Sequence, residues 1–220
     1  MMRWLHRLGP ESRSLKEIHL RFLQMLEDGR HIFDAAANAL LGGTDPEVIR
    51  KDLFKTDRRI NRTEQEIRRE IVVHGSIHGA ATFPALLVMM SLVKDAERVG
   101  DYCKNLFDLA VNGSDIGTDE QRAELIRLKD RISKLIVRGH AIYRAQDEEG
   151  AEALMMDVKE IEDLCDTCVD QGLALTGSNA ATRVLTYRYF KRVVSHLGNI
   201  ASSVVVPLDK LDYFDEPREN

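Results

Sequence analysis

Apolar positions along this chain recur in steps of three and four over six stretches, which is helical spacing, and no stretch carries a convincing strand signal. The first stretch opens at Ser14, a candidate cap. It runs through Leu15, Ile18, Phe22, Met25, Leu26, Gly29, Ile32, Phe33 and Ala36 to stop at Gly42-Gly43. Asp45-Pro46, a cap followed by proline at the first helical position, starts a second. Its stripe is Ile49, Leu53, Thr56, Ile60, Thr63, Ile67 and Ile71, ending near His74-Gly75. The third spans Pro84 to Asn112, with Leu86, Met89, Val93, Ala96, Gly100, Cys103, Phe107 and Ala110 on one face. After a turn at Gly113 to Gly117, the capping box Thr118-Asp119-Glu120-Gln121 starts a fourth, through Leu125, Leu128, Ile132, Leu135 and Ile142. A fifth runs from about Glu149 to Leu175, and Gly177-Ser178-Asn179 turns into a sixth that ends before Pro207. The fold class is all-α.

The third helix carries the chemistry. Glu97 and Asp101 lie four apart, one above the other, each one residue past a stripe position and so on the shoulder of the packed face. Two stacked carboxylates repel unless something positive answers them. Arg98 and Lys104 can do so, and so can a metal ion.

The chain also repeats itself. Glu97-Arg98-Val99-Gly100-Asp101-Tyr102 aligns with Lys191-Arg192-Val193-Val194-Ser195-His196, and Asp57-x-x-Ile60-Asn61 with Val158-x-x-Ile161-Glu162. Helices one to three and four to six therefore read as two copies of a three-helix unit packed side by side, at 14–113 and 118–206. The first copy is longer by about seven residues, which fall around His74 to Phe83. Residues 1–13 form an amphipathic segment in which Trp4, Leu5 and Leu8 stand among Arg3, His6 and Arg7. Such a segment touches a membrane or a partner, or, more often, folds back on its own bundle or frays. Residues 207–220 are an acidic tail.

Composition narrows the function. A net charge of -5 over 220 residues argues against a general nucleic-acid binder. The longest apolar run, Pro84 to Met90, is too short to span a membrane, and no signal peptide opens the chain. Three cysteines do not make a disulfide framework, so a cytoplasmic location is expected. Cys165-x-x-Cys168 lies inside a helical pattern and reads as packed thiols. Glu70, His74 and His78 form a ladder that can hold zinc or iron, but Gly75 and Gly79 speak for inter-helix turn residues instead. No nucleophile–base arrangement or phosphate loop is present, so no enzyme is expected.

Two tandem three-helix units, with a Glu-Arg-hydrophobic-Gly-Asp-aromatic signature at Glu97 to Tyr102, resemble the PhoU family of cytoplasmic regulators of bacterial phosphate uptake. The resemblance covers roughly Leu20 to Val206. Thr82-Phe83-Pro84 replaces the Asp-Leu-Arg common in that family, and Lys191 and Ser195 replace Glu and Asp in the second signature. The resemblance implies metal clusters held on paired acidic motifs. The first unit offers Asp57 and Asn61 facing Glu97 and Asp101, an oxygen set suited to hard ions such as Mg²⁺, Mn²⁺, Ca²⁺ or Fe³⁺, and the cofactor expected is iron, Mn, Mg or Zn. The second unit, with Lys191 in the matching place, is expected to hold none. Salt bridges from Arg58, Arg98 or Lys104 are the competing account of the same residues. The expected function is that of a non-enzymatic adaptor, a homodimer at most peripheral to the membrane. Its implied partners are a phosphate transporter, through an ABC ATPase subunit or another permease such as a sodium-coupled one, and a sensor histidine kinase. The reading of a different class is a metal-storage bundle.

Overall fold

Cap chemistry sets the helix boundaries. The computed structural model describes residues 12–113, 116–174 and 179–211, and among these it contains six long helices and no strand. They are α1 (Ser12–Leu41), α2 (Pro46–His78), α3 (Phe83–Val111), α4 (Asp119–Ala145), α5 (Glu148–Leu173) and α6 (Ala180–Val205). Asp45 accepts a hydrogen bond from the Glu47 amide at 2.9 Å, and Thr118 and Gln121 close a reciprocal capping box. Asp147, which the sequence reading passed over, caps α5 through the Gly150 amide.

Two boundaries differ from the sequence reading. Ser14 lies inside α1, which already begins at Ser12. Helix α2 continues through Gly75 to His78 and ends at Gly79, whose φ of 76° only glycine adopts easily. A glycine suits position 75 inside the helix because the Phe83 ring and Leu86 pack where a Cβ would stand, at 3.0 and 3.2 Å. The amphipathic segment read at residues 1–13 and the tail at 207–220 fall largely outside the described residues.

Helices α1, α2 and α3 pack together, as do α4, α5 and α6. Between the two units α1 meets α4 and α3 meets α6. Like meets like, as an approximate two-fold requires.

Helix α3 makes this possible by carrying two apolar stripes. The predicted one, Leu86 to Phe107, faces its own unit. A second, Val88, Leu92, Asp95, Val99, Tyr102 and Leu106, lies beside it, and all but Tyr102 are buried. The repeat register maps this second stripe onto Thr182, Thr186, Tyr189, Val193, His196 and Ile200 of α6. At the centre Tyr102 stacks on its own counterpart His196, with ring centroids 5.8 Å apart. On either side Asp95 meets His196 and Tyr102 meets Tyr189, two contacts that exchange under the two-fold. Phe33 of α1 and Phe190 of α6, both fully buried, close the junction at 5.6 Å. Burying each such ring is worth about 1.5–3 kcal/mol.

Candidate functional site

The charged groove of the first unit lies between α2 and α3. Asp57 faces α3 at the level of Gly100, where a Cβ would stand 3.9 Å from Asp57 Oδ1. The Lys104 ammonium lies 3.0 Å from Asp57 Oδ1 and 2.9 Å from Asp101 Oδ1, and so bridges the two helices. Asn61 donates to Asp57 Oδ2 at 3.4 Å. Burial disfavours the Lys104 ammonium, but its bonds to Asp101 and Asp57 outweigh that and raise its pKa.

Glu97 belongs to a different contact. Its carboxylate is buried and held by Lys94, one turn back, at 2.5 Å. Burial pushes the Glu97 carboxyl above its ordinary range, and the negative charges of Asp101 and Glu64 add to this while Lys94 opposes it. Asp101 is half exposed, so the two stacked carboxylates do not share one environment. Arg98, one of the cations offered by the sequence, is exposed and answers neither.

The predicted metal residues therefore divide. Asp57, Asn61 and Asp101 converge, Glu97 turns to Lys94, and the position a cation would take between Asp57 and Asp101 is held by Lys104. The oxygen donors suit a hard ion, but as folded they do not fit one without displacing that ammonium. Among the described residues no group of three or more His, Cys, Asp and Glu has metal-holding geometry.

In the second unit Ser195 bonds to Glu162, and Lys191 pairs with Asp166, one turn along α5 from Glu162. The same groove is thus closed there by a hydroxyl and a lysine.

The sequence reading missed the polar network at the unit junction. Asp95 accepts from Asn199 Nδ2 at 3.0 Å and lies 2.8 Å from His196 Nδ1, with both Asp95 and His196 buried. Arg192 Nε donates to the Tyr102 hydroxyl at 3.0 Å. The signal was present in the second stripe of α3, where Asp95 interrupts apolar positions in steps of three and four. Glu64 was missed as well. The buried stripe of α2 steps from Ile60 to Glu64 to Ile67, not through Thr63, and Arg68 lies 3.0 Å from its carboxylate.

The remaining candidates take ordinary places. The His74 and His78 rings lie 4.2 Å apart on the continuous end of α2, and Glu70 pairs with Arg21 at 2.7 Å. Cys165 is buried and burial pushes its thiol up to about 12, so it is not a thiolate near neutrality. No helix among the described residues is long and apolar enough to cross a membrane.

Residues 22–110 match the family described as the PhoU domain, a span that contains the Glu97 to Tyr102 signature and the whole Asp57–Lys104–Asp101 bridge. The phosphate-specific transport system accessory protein PhoU of Serratia marcescens is 27% identical over 114 residues. That match takes in 50% of this chain and 43% of the relative, so the chain spans less than half of that protein's length. Among solved structures, PhoU from Pseudomonas aeruginosa is similar with a TM-score of 0.72 at 19% identity, covering 87% of this chain and 95% of that one. The phosphate transport system regulatory protein PhoU from Streptococcus pneumoniae gives 0.71 at 15% identity, covering 88% and 95%. At these identities the two structures establish a shared fold.

Proposed function

We infer that this chain, which carries a PhoU domain in its first half and the PhoU fold over most of its length, is a regulatory accessory protein of phosphate transport. The observation that carries this reading is the family match itself, laid over the most specific motif in the sequence and the charged groove built from it. The relatives' names tie them to phosphate transport, and the shared fold supports extending that role to this chain.

The mode of action proposed is protein contact. Long helices with charged outer faces offer docking surface, and the partners proposed are a phosphate transporter, by an ABC ATPase subunit or another permease, and a sensor histidine kinase. The chain works in the cytoplasm, as a homodimer. The metal set Asp57, Asn61, Glu97 and Asp101 enters this reading as one closed by lysines in the wild type, since an ion must first displace Lys104 from Asp57 and Asp101 and Lys94 from Glu97. The same contacts weigh against storage, which needs many open carboxylates per chain.

Deleting the coding sequence in the native host, with phosphate uptake and phosphate-responsive transcription as readouts, tests the role. Altered uptake or transcription, restored by the intact chain, is the expected result. Uptake and transcription that both stay at wild-type level overturn it.

A further inference from the structure

In the first unit three cross-helix pairs seam α1 to α2: Arg21 with Glu70, Arg59 with Asp28 and His31 with Asp52. The matching helices of the second unit, α4 and α5, lie more openly together. Helix α5 packs chiefly on α6 and touches α4 far less than α2 touches α1. Two cavities of about 260 and 270 Å³ open along the α4–α5 seam, and Arg131 lines both, so they run on as one groove.

The sequence of α4 decides what this groove presents. Arg127, Arg131, Lys134 and Arg138 follow one another at four, three and four residues, so they stand in one row about 16 Å long. All four are exposed and all four line the groove. Leu128, Leu135 and Ile161 form its floor, and Leu164 stands on the α5 side, 38% exposed. The methylene stems of the basic side chains add apolar wall beneath their charged heads. Two of the cations are answered, Arg131 by Glu160 at 3.0 Å and Arg138 by Asp157. Arg127 and Lys134 have no ion pair among the described residues. Glu124 and Asp157 are the acids in the lining, and even with Glu160 counted beside them the groove stays positive, in a chain of net charge -5.

We propose that the α4–α5 groove seats an amphipathic helix of a partner protein, about three turns long, with acidic flanks and an apolar contact edge. Three turns match the length of the basic row. Carboxylates seven residues apart on such a helix stand about 10 Å apart, which is the spacing of Arg127 and Lys134 along α4. An apolar side chain between them meets Leu164 and the floor. Charge selects this occupant over other anionic ones. At physiological salt a charge is felt over about 8 Å, so a short acidic helix meets the positive row alone. A bilayer or a nucleic acid spans more of a surface whose net charge is negative, and is repelled. The inference rests on the docking reading above and gives that docking a place and a chemistry.

The probe is a fluorescein-labelled, end-blocked peptide of about 14 residues, with Leu along one helical face, Glu on its flanks and Ala elsewhere. Fluorescence anisotropy with the purified full chain should give micromolar binding that weakens about tenfold between about 0.05 and 0.5 M salt. Arg127→Glu with Lys134→Glu should weaken it about tenfold or more and leave the helical circular dichroism unchanged. Should that pair disturb the fold, Arg127→Gln with Lys134→Gln carries the same test. Leu164→Asp should also weaken binding, and Lys51→Glu, at an exposed site on α2, should not. No binding at about 1 mM peptide overturns the proposal. So does binding that survives the Arg127 and Lys134 substitutions, or equal binding of a peptide with Lys in place of Glu. A dimer mass in light scattering that falls to a monomer mass in the Arg127 and Lys134 variant assigns the groove to a second copy. Sedimentation with phosphatidylglycerol–phosphatidylcholine vesicles, lost in the same variant, assigns it to a membrane, and either result overturns the proposal. Phosphate uptake enters none of these readouts, so the groove can fail while the transport role stands.

Discussion

Lys104 does at one residue what a bound cation would do for two helices. Its ammonium cancels the repulsion between Asp57 and Asp101, one of them mostly buried, and ties α2 to α3. Lys104→Met keeps the length of the side chain and removes the charge, leaving the Asp57 carboxylate unanswered. It should destabilise the fold by about 1–3 kcal/mol, as loss of a bond to a charged group does. Added Mn²⁺ should recover part of that loss in the variant, because Asp57, Asp101 and Asn61 then present open oxygens, and should leave wild type unchanged. Thermal melts with and without Mn²⁺ check both, and a wild type stabilised as much as the variant would show that the ion displaces lysine freely. Glu97 gives a pH prediction. Its folded pKa is raised, so the folded state favours the protonated form, and the stability this brings is present below the ordinary glutamate value and lost as pH rises through the folded one. Glu97→Gln should therefore unfold at higher urea than wild type near neutrality. That advantage should close as pH falls below about 4.3, the ordinary value for glutamate.

At the scale of the helix, two helical glycines carry opposite expectations. A Cβ on Gly100 of α3 would meet Ile32 and Ile60 at 3.5 Å, ordinary contact distance. Gly100→Ala should then gain helix propensity without a clash and stabilise the protein by about 0.5–1 kcal/mol. A Cβ on Gly172 of α5 would stand 2.4 Å from Val184 Cγ2, a branched side chain with few rotamers to escape into. Gly172→Ala should cost about 1–3 kcal/mol, the range of overpacking. Chemical denaturation of the two variants side by side decides the signs, and a destabilised Gly100→Ala would mean that α3 sits closer to α1 and α2 than these contacts allow. Most of this scale was legible in advance. The caps at Asp45-Pro46 and Thr118 and the stop at Gly42-Gly43 follow from local chemistry that acts within a few residues. The end of α2 was not legible, because Gly75 reads locally as a stop, whereas its missing side chain makes room for Phe83 and Leu86 of the next helix.

Across the whole molecule the two units are joined by a junction too well packed to leave them independent. Phe33 against Phe190 and the Asp95–His196–Asn199 network both bridge it. Calorimetry should show one cooperative transition. Phe33→Ala, in the first unit, should lower the melting of both units together at a cost of about 3–5 kcal/mol. Two resolved transitions would show that the units fold separately. Asp95→Ala should cost about 1–3 kcal/mol, since it leaves Asn199 and the His196 ring without their shared acceptor in a buried place.

By itself the sequence determined the six helices, the two-copy order, the resemblance that the family match supports and Lys104 as one of the two cations offered to the acidic pair. All of these rest on spacing and on residues that act on near neighbours along the chain. Only the tertiary structure decided how the carboxylates divide, with Asp57 and Asp101 on Lys104 and Glu97 on Lys94, because that depends on which of two shoulders α2 leaves buried. It alone also showed that Asp95 lies opposite His196, 101 residues later. Equal periodicity marks both stripes of α3, and nothing local says which partner each stripe will meet. That choice is made when two amphipathic units close on each other about their shared axis.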